Sequence, residues 1–498
     1  MKLENLFVKQ PKKGPVQKGS LKAKSTAASK EVKLKNNASF GQKALKGVYD
    51  VLTSVKRAKI NYSQNNGTLL QGYIPSVGFL GRNSYNGSTA PSLGFVFGSQ
   101  TDILNNAIAN NWLVTRNPND STDTYYNKNY GKTKNSKLDY TVSVKPLKSL
   151  TIDLRGNRIK TSNISQQLDI INDGFGSFAQ NENIRAFETG NYSISHFMLG
   201  TMFANSDNLY QNFRAYRSTI ANRLYDETGL PRPSNPNDPA FQENGQQVML
   251  PAFIAAYSGN SPNSVDTGIF RNVPIPNWTL RYNGFMKYKW FKKNFTSFTL
   301  SHGYRSSYTI GNYTNNLQYE FGEANTSGNF QPELLISSAT LIDEFSPLIK
   351  VDFRMKNSLS FKGEVRRDRS LTLNFNNNTI TDINGTEYVF GFGYKLRDVK
   401  FVTRFTGKKE TMKGDINFRA DISLRDNITL IRSVDEENNQ VTGGETLLGI
   451  KFLADYNLSS NLTASFYYNH QTFNYAISTT FPRQAINAGI NIVYNLGN

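Results

Sequence analysis

Few side chains in this sequence could carry out catalysis, and their spacing favours none of the usual catalytic groups. The absence of cysteine excludes thiolate nucleophiles, thiolate metal sites and disulfides. The histidines, His196, His302 and His470, are not spaced as metal ligands, because none stands three or four residues from another histidine or from a glutamate. The carboxylates form no isolated pair among apolar residues, as acid–base catalysis would need. We therefore expect no enzymatic activity and no metal or other cofactor.

Charged residues recur instead at alternate positions of strand-like segments. In residues 414–425, Arg419, Asp421 and Arg425 alternate with an apolar row, and a period of two is typical of a β-strand with one apolar and one polar face. If the apolar row faces lipid, a slip of one residue costs roughly 2–4 kcal/mol for each arginine near the bilayer midplane. The charged rows are therefore predicted to face a water-filled or plugged lumen. The lumen-facing candidates are Asp352, Arg354, Glu364, Arg366, Arg419, Asp421, Arg425, Lys451 and Asp455.

The end of the sequence carries the clearest strand pattern. Residues 484–496 have an apolar residue at every second position, and about 9–11 residues are enough for a tilted strand to cross a bilayer. In a single-chain membrane barrel the last strand pairs with the first and signals insertion. The predicted residues of this C-terminal insertion strand are Ile486, Ile490, Ile492, Tyr494 and Leu496.

The composition favours a transmembrane β-barrel over an ordinary soluble protein. Only 38% of the residues are hydrophobic, yet 12% are aromatic; a barrel wall is apolar on its outer face alone and collects aromatic residues at both membrane interfaces. No run approaches the 18 apolar residues of a transmembrane helix. We expect an all-β fold, an antiparallel transmembrane barrel with long loops, a small helical insertion and a basic disordered N-terminus.

The positive charge is concentrated near the start of the chain. The net charge is +19, and residues 1–60 are rich in lysine but hold only three acidic residues, Glu4, Glu31 and Asp50. Such an arm is typical of a solvated tail, or of a segment that contacts anionic lipid or an acidic partner. No nucleic-acid-binding motif accompanies it, so no nucleic acid is expected as a partner. Since no secretory signal precedes the predicted strands, we expect a C-terminal piece of a longer protein.

The sequence divides into three regions. Residues 1–58 form a basic flexible segment with a short amphipathic helix at 40–52. Residues 59–276 hold the first strands, with long loops and plug-like insertions, one of which contains a predicted helix at 207–226. Residues 277–498 are predicted as continuous transmembrane strands.

Short turns and long loops are predicted to alternate along the last region, as in outer-membrane barrels, where the short turns lie in the periplasm. The short turns are predicted at 397–398, 425–427 and 459–461, and the longer loops at 376–385, 407–413, 434–444 and 474–483.

Several strings resemble the C-terminal region of the SprA/Sov family. They are PNWTLRYNG at 276–284, FTLSHGYRS at 298–306, EFSPLI at 344–349, KNSL at 356–359 and EYVFGFGY at 387–394. The resemblance covers roughly residue 67 to the end. It implies the outer-membrane translocon of the type IX secretion system of Bacteroidetes, a very large barrel that passes folded proteins and is needed for gliding motility.

The resemblance also implies partners and a location. These are secreted cargo proteins, an outer-membrane accessory protein of the PorV type, a plug subunit, the lipid bilayer of the outer membrane, and the N-terminal remainder of the same barrel. Two other functions stay open on the residues. One is a nutrient porin or TonB-dependent transporter, and the other is a surface-attached β-rich adhesin.

Overall fold

The structure, a computed structural model, describes residues 54–495 apart from residues 77, 82, 86–87, 92, 118–127, 173–177, 237, 404–409, 435–438, 459–460 and 478–479. One antiparallel sheet of 14 strands dominates it, which confirms the predicted all-β class. The helix predicted at 40–52 and nearly all of the basic segment lie outside the described residues. Within the described ranges, no helix has both the length and the apolar character needed to cross a membrane.

The main path of the sheet runs in the order β1 (Val55–Leu70), β4 (Lys128–Leu147), β5 (Leu150–Leu168), β8 (Phe187–Ser195), β10 (Phe295–Asn315), β12 (Ser338–Met355), β13 (Leu359–Asn374), β14 (Thr379–Thr403), β15 (Glu410–Ser433), β16 (Asn439–Asn457), β17 (Leu462–Tyr475) and β18 (Arg483–Tyr494). Two further strands pair beside this path, β9 (Asn277–Tyr282) and β11 (Leu334–Ile336). Two small hairpins are β2 (Asn83–Tyr85) with β3 (Ser88–Ala90), and β6 (Ile170–Asn172) with β7 (Phe178–Gln180). In the part of the chain that the structure describes, β1 and β18 are the two edges of the sheet.

The described part of the chain also contains five α-helices. They are α1 (Leu93–Val96), α2 (Ile103–Ala109), α3 (Ser206–Thr228), α4 (Gln246–Ser258) and α5 (Lys289–Asn294).

The sheet has two faces of opposite character. Directly opposed residues of an antiparallel ladder share a face, so the register can be followed from edge to edge. We call the first face the belt face; its row includes Ile60, Tyr140, Ile152, Leu280, Leu300, Val351, Phe361, Phe392, Ala420, Phe452, Phe466 and Ile490. The opposite face, which carries Arg366, Glu387 and Arg425, is called the charged face.

The two ends of the sheet also differ. At one end the connections are short, such as 148–149 and 356–358, and this is called the turn end. The other end carries longer excursions such as 71–127 and 316–337, and is called the loop end. Several strands are far longer than a bilayer crossing: β14 has 25 residues and β15 has 24, against about 9–11 for a membrane strand.

Two of the predicted turns are wrong. Residues 425–427 lie within β15, where Arg425 pairs with Glu387 and Asn427 with Gly385 of β14. At 397–398 the structure has a bulge instead, with Asp398 at φ 55° and its N–H donating to Asp415 Oδ1 over 3.2 Å. Consecutive polar residues suggested a turn at each of these positions. In the structure the strand continues through them, beyond the stretch in which one face is apolar.

The predicted loops are too long for the same reason. Strand β14 begins at Thr379, β15 at Glu410 and β16 at Asn439, so each of these strands starts inside a segment predicted as loop. Strand β17 likewise runs to Tyr475, past the predicted loop start at 474. The turn at 459–461 does fall at a strand connection, between β16 and β17.

One position in the sheet is shared by two strands. Both β8 and β9 lie between β5 and β10, β8 toward the loop end and β9 toward the turn end. Residues 196–276, which we call the insertion, leave the sheet at this break. Strand β8 therefore ends at Ser195.

Side chains complete the hydrogen bonding at the break. Asn277 Oδ1 accepts from the backbone N–H of Ser306 over 2.7 Å, and Ser195 Oγ accepts from the N–H of Asn157 over 2.9 Å. Ser195 Oγ in turn lies 2.6 Å from Asn157 Oδ1. These polar side chains replace the ladder bonds that a continuous strand would supply, since unpaired buried amides are costly.

The insertion is built on α3 and α4, which pack together. Helix α3, predicted at 207–226, is confirmed: Asn205 Oδ1 caps its start by accepting from the N–H of Asp207 over 2.8 Å, and Gly229 ends it at φ 73°. Helix α4 was not predicted, because it is buried on all sides and so lacks an amphipathic period, and because Pro251 lies inside it.

The insertion covers the belt face near the loop end. Its core includes Phe213 and Phe253 together with Tyr308, Leu341 and Leu371 of the sheet, all of them buried. All three sheet residues lie on the belt face by register. The insertion therefore lies on the side of the sheet opposite to the charged face.

Two buried arginines of the sheet bind the insertion. Arg369 NH2 lies 2.9 Å from Asp343 Oδ2, and its NH1 donates to the carbonyl of Thr201 over 2.9 Å. Nearby, Arg432 NH2 lies 2.7 Å from Asp207 Oδ1 at the start of α3. Because these guanidinium groups are withdrawn from water, each depends on its partner for compensation.

We expect Asp343→Ala to loosen the insertion. The Asp343 side chain is 0% exposed and that of Arg369 is 4%, so the substitution leaves a buried cation unpaired, at a cost of about 3–5 kcal/mol. The measurement is the denaturant concentration at which a protease first cleaves within 196–276. The matched control is Asp226→Ala, which removes the exposed partner of Arg232 and should change little. Equal sensitivity of the two variants would contradict the assigned role of the buried pair.

Candidate functional site

The belt face changes character along the strands that the insertion covers, such as β13 and β14. Near the loop end its residues are fully buried beneath the insertion, as are Leu373 and Ile380. Toward the turn end the same row becomes exposed, and on β14 Tyr388, Phe390 and Phe392 are 43%, 48% and 49% exposed. Strand β14 is an inner strand of the sheet, where a soluble sheet would cover large apolar side chains with a second layer.

The apolar row continues across neighbouring strands, where partly exposed residues such as Phe353 and Phe361 lie between the exposed ones. Ring contacts link it laterally, with centroids 5.1 Å apart for both Phe353–Phe361 and Phe361–Phe392. It extends through Ile422 on β15 to Ile490 at the edge. A contiguous apolar surface of this width exceeds what soluble monomers expose to water. The arrangement is suited to an apolar environment on this face.

The charged face carries a network of ion pairs at the same level of the sheet. Arg366 reaches Glu364 at 2.6 Å and Glu387 at 3.0 Å. Arg425 lies 3.9 Å from the same Glu387 and 3.2 Å from Asp368. The network therefore crosses three neighbouring strands. Each charged side chain in it lies beside a side chain of opposite charge.

All nine predicted lumen residues lie on the charged face by register. The network joins Glu364, Arg366 and Arg425. A separate pair forms between Arg419 and Asp455, at 2.8 Å. The remaining four line the same face outside these pairs: Asp352 and Arg354 on β12, and Asp421 and Lys451, which are opposed directly in the β15–β16 ladder.

Three members of the network were not among the predicted site residues. Lys362 lies 3.2 Å from Glu364, and Glu387 and Asp368 are the acceptors described above. The alternation of the sequence could have identified Lys362 and Glu387, which hold the same alternate positions. Asp368 lies beyond the part of the strand in which apolar and polar residues alternate. The alternation therefore did not identify it as a site residue.

Glycines on β14 make room for this network. Gly385 and Gly391 both lie on the charged face, between two charged strands. A Cβ atom added to Gly385 would come within 2.7 Å of Asp368 Oδ1, and one added to Gly391 within 2.5 Å of Asp421 Oδ1. The small residues of one strand therefore accommodate the carboxylates of its neighbours.

The C-terminal strand lies at an edge of the sheet, as β18. Ile486, Ile490, Ile492 and Tyr494 all lie on the belt face and are exposed. Leu496 lies outside the described residues. On β18 the whole apolar row is thus uncovered, and only its β17 side is paired in the part of the chain that the structure describes.

The three histidines make separate, structural contacts. His196 Nε2 lies 2.9 Å from Ser258 Oγ within the insertion, and burial, assisted by the nearby Arg271, lowers its pKa to about 4. His302 Nδ1 lies 2.6 Å from the carbonyl oxygen of Leu348. His470 Nδ1 lies 3.3 Å from the Tyr468 hydroxyl on its own strand. In the described ranges these contacts join no histidine to a carboxylate.

Comparisons with known proteins add no assignment. No known protein family matches the sequence, and no curated protein matches it at a significant level. The resemblance to the SprA/Sov family therefore stays a prediction from the residues, and the site defines a class only: an extended antiparallel sheet with one apolar and one charged face.

Single cysteines can report the environment of each face, since the chain has none of its own. The variants Asp421→Cys and Ile422→Cys change adjacent positions of β15 that point to opposite faces. We expect a membrane-impermeant thiol reagent to label the assembled Asp421→Cys variant at least tenfold faster than the Ile422→Cys variant. A lipid-soluble maleimide should show the reverse preference. Similar labelling rates for the two variants would rule out different solvents on the two faces.

Substitutions on β18 test the same division at the sheet edge. We expect Ile490→Asp or Tyr494→Asp to block membrane assembly, because each places a carboxylate on the belt face. Asn491→Asp, on the opposite face of the same strand, should be tolerated. Resistance to carbonate extraction and heat-modifiable mobility on gels provide the measurement. The orientation of the strand is refuted if substitutions on both faces behave alike.

Proposed function

We propose that this chain forms part of the wall of a protein-conducting pore in an outer membrane, through which folded cargo proteins are exported. The observation that carries the proposal is the opposition of two faces on the same inner strands. Phe390 and Phe392 are exposed on one side, while Glu387 joins an ion-pair network on the other. A wall of this kind separates lipid from water.

The lengths of the strands support a wall that extends beyond the bilayer. A tilted membrane strand needs about 9–11 residues, whereas β10 has 21 and β14 has 25. On β14 the exposed apolar row occupies only the half near the turn end. The other half carries buried polar groups and packed helices on its belt face, as expected of a part that stands in water outside the membrane.

The placement of the helices supports a wide lumen. Two hydrophobic clusters contain helices, one around α2 and the other around α3 and α4. Both include belt-face residues, such as Tyr130 in the first and Leu371 in the second. They leave the charged face accessible in the described part of the sheet. Eight strands give a barrel that side chains can fill, and about 16–18 give an aqueous channel. The main path of the described sheet is 12 strands wide and ends at two unpaired edges, which is consistent with part of a larger barrel.

The resemblance to the SprA/Sov family supports the particular system, type IX secretion with its link to gliding motility. On this proposal the partners are cargo proteins, a PorV-type accessory protein, a plug subunit and the remainder of the barrel. Charges of both signs on the lumen side suit the passage of proteins with varied surfaces, since neither sign dominates.

Site-specific photo-crosslinking in the native host tests the proposal. A photo-reactive amino acid at Lys451, on the charged face, should crosslink type IX cargo during export. The same amino acid at Ile450, the adjacent belt-face residue, should not. A strain that lacks the chain should retain at least tenfold more cargo inside the cell.

Other outcomes separate the remaining functions. Unchanged cargo release in the deletion strain would contradict the proposal. Loss of small-nutrient uptake with normal cargo export would favour a porin or transporter, which has the same wall architecture. Release of the chain from membranes by high salt or carbonate alone would favour a surface-attached adhesin.

A further inference from the structure

A lysine-rich turn connects β9 to β10 at the turn end. It consists of a short 3-10 segment, Gly284–Lys287, followed by α5. Sequence periodicity did not identify it, because two elements this short have no repeating pattern. The turn contains no acidic residue, and its four lysines are all exposed: Lys287, Lys289, Lys292 and Lys293.

Aromatic rings hold this turn against the belt face. Phe285 and Phe291 pack on Phe298, with ring centroids 5.4 Å and 5.0 Å apart. Phe295, at the end of α5, packs on Phe353 at 5.2 Å. Phe298 and Phe353 are opposed in the β10–β12 ladder and lie half-buried on the belt face. The position of the turn is therefore set by contacts with the belt itself.

A second contact fixes the turn at its other side. Lys287 Nζ donates to Ser149 Oγ over 3.1 Å, in the connection between β4 and β5. The other three lysines, Lys289, Lys292 and Lys293, are exposed and close together in the chain, and form a cationic group. Trp290, between them, is 62% exposed although it is the largest apolar side chain of the turn.

This combination has a specific physical meaning at the edge of an apolar belt. Tryptophan and tyrosine concentrate where a bilayer meets water, and lysines there extend their charged ends toward the headgroups. Each lysine close to an anionic membrane surface strengthens binding about fivefold. The positive charge of the turn and its contact with the belt face therefore both favour one ligand for this surface, an anionic lipid.

We propose that the lysine-rich turn is a binding surface for anionic phospholipid headgroups in the leaflet at the turn end. Lys289, Lys292 and Lys293 contact the phosphates, and Trp290 inserts beside the acyl chains. This inference rests on the proposed function, because it requires the belt face to lie in a bilayer. It adds a lipid preference that the wall alone does not imply.

Tryptophan fluorescence in vesicles tests the proposal. The chain has three tryptophans, so Trp112→Phe with Trp278→Phe leaves Trp290 as the sole reporter in the full-length protein. Brominated phosphatidylglycerol should quench Trp290 at roughly a tenth of the mole fraction that brominated phosphatidylcholine requires. Replacement of Lys289, Lys292 and Lys293 by glutamine should make the two lipids equivalent.

The matched control removes three exposed cations toward the loop end, by Lys134→Gln, Arg185→Gln and Arg232→Gln. This variant has the same net charge as the lysine variant and should retain the preference. Equal quenching by both lipids in the parent protein would overturn the inference but leave the wall proposal standing. Absence of quenching by either lipid would overturn both.

A second measurement avoids the tryptophan substitutions. Protein with all its tryptophans is reconstituted from equal amounts of phosphatidylglycerol and phosphatidylcholine, and the lipids that stay bound after detergent extraction are identified by mass. Phosphatidylglycerol should predominate for the parent and for the control variant. An equal mixture of the two lipids on the parent protein would overturn the inference.

Discussion

The structure depends on one constraint: the two faces of the same strand must meet different surroundings. On inner strands such as β14 and β15, large apolar side chains are exposed on one face while arginines and carboxylates pair on the other. Because the side-chain period of a strand is two, a shift of one residue exchanges the faces completely. Register, strand pairing and the small residues at Gly385 and Gly391 all serve this division.

The belt face performs two tasks along its length. Near the turn end it presents an exposed apolar row, and near the loop end the same row is the floor of a hydrophobic core formed with α3 and α4. The change coincides with two buried arginines, Arg369 and Arg432, which pair with Asp343 of the sheet and Asp207 of the insertion. Long strands make this possible, since one strand of 25 residues such as β14 has room for both a covered and an exposed stretch.

Much of the candidate site could be predicted from the sequence. Alternation put the nine lumen-facing candidates on one face, which is the charged face of the sheet, and put Ile486, Ile490, Ile492 and Tyr494 on the other. Their partners could not be predicted in the same way, because an ion pair such as Arg425–Asp368 joins strands that are not consecutive in the chain. The boundaries also failed where polar residues occupied both faces, as at 425–427.

The sequence by itself determined the strands, their two faces and helix α3, because these follow from patterns that repeat every two residues or every three to four. Only the tertiary structure decided that β8 and β9 share one position, that the insertion packs on the belt face, and that α4 is a helix. These features depend on contacts between distant segments. A buried helix without an amphipathic period carries no local signal, and a break in a strand is stabilised by its neighbours, through Asn277 and Ser195, rather than by its own sequence.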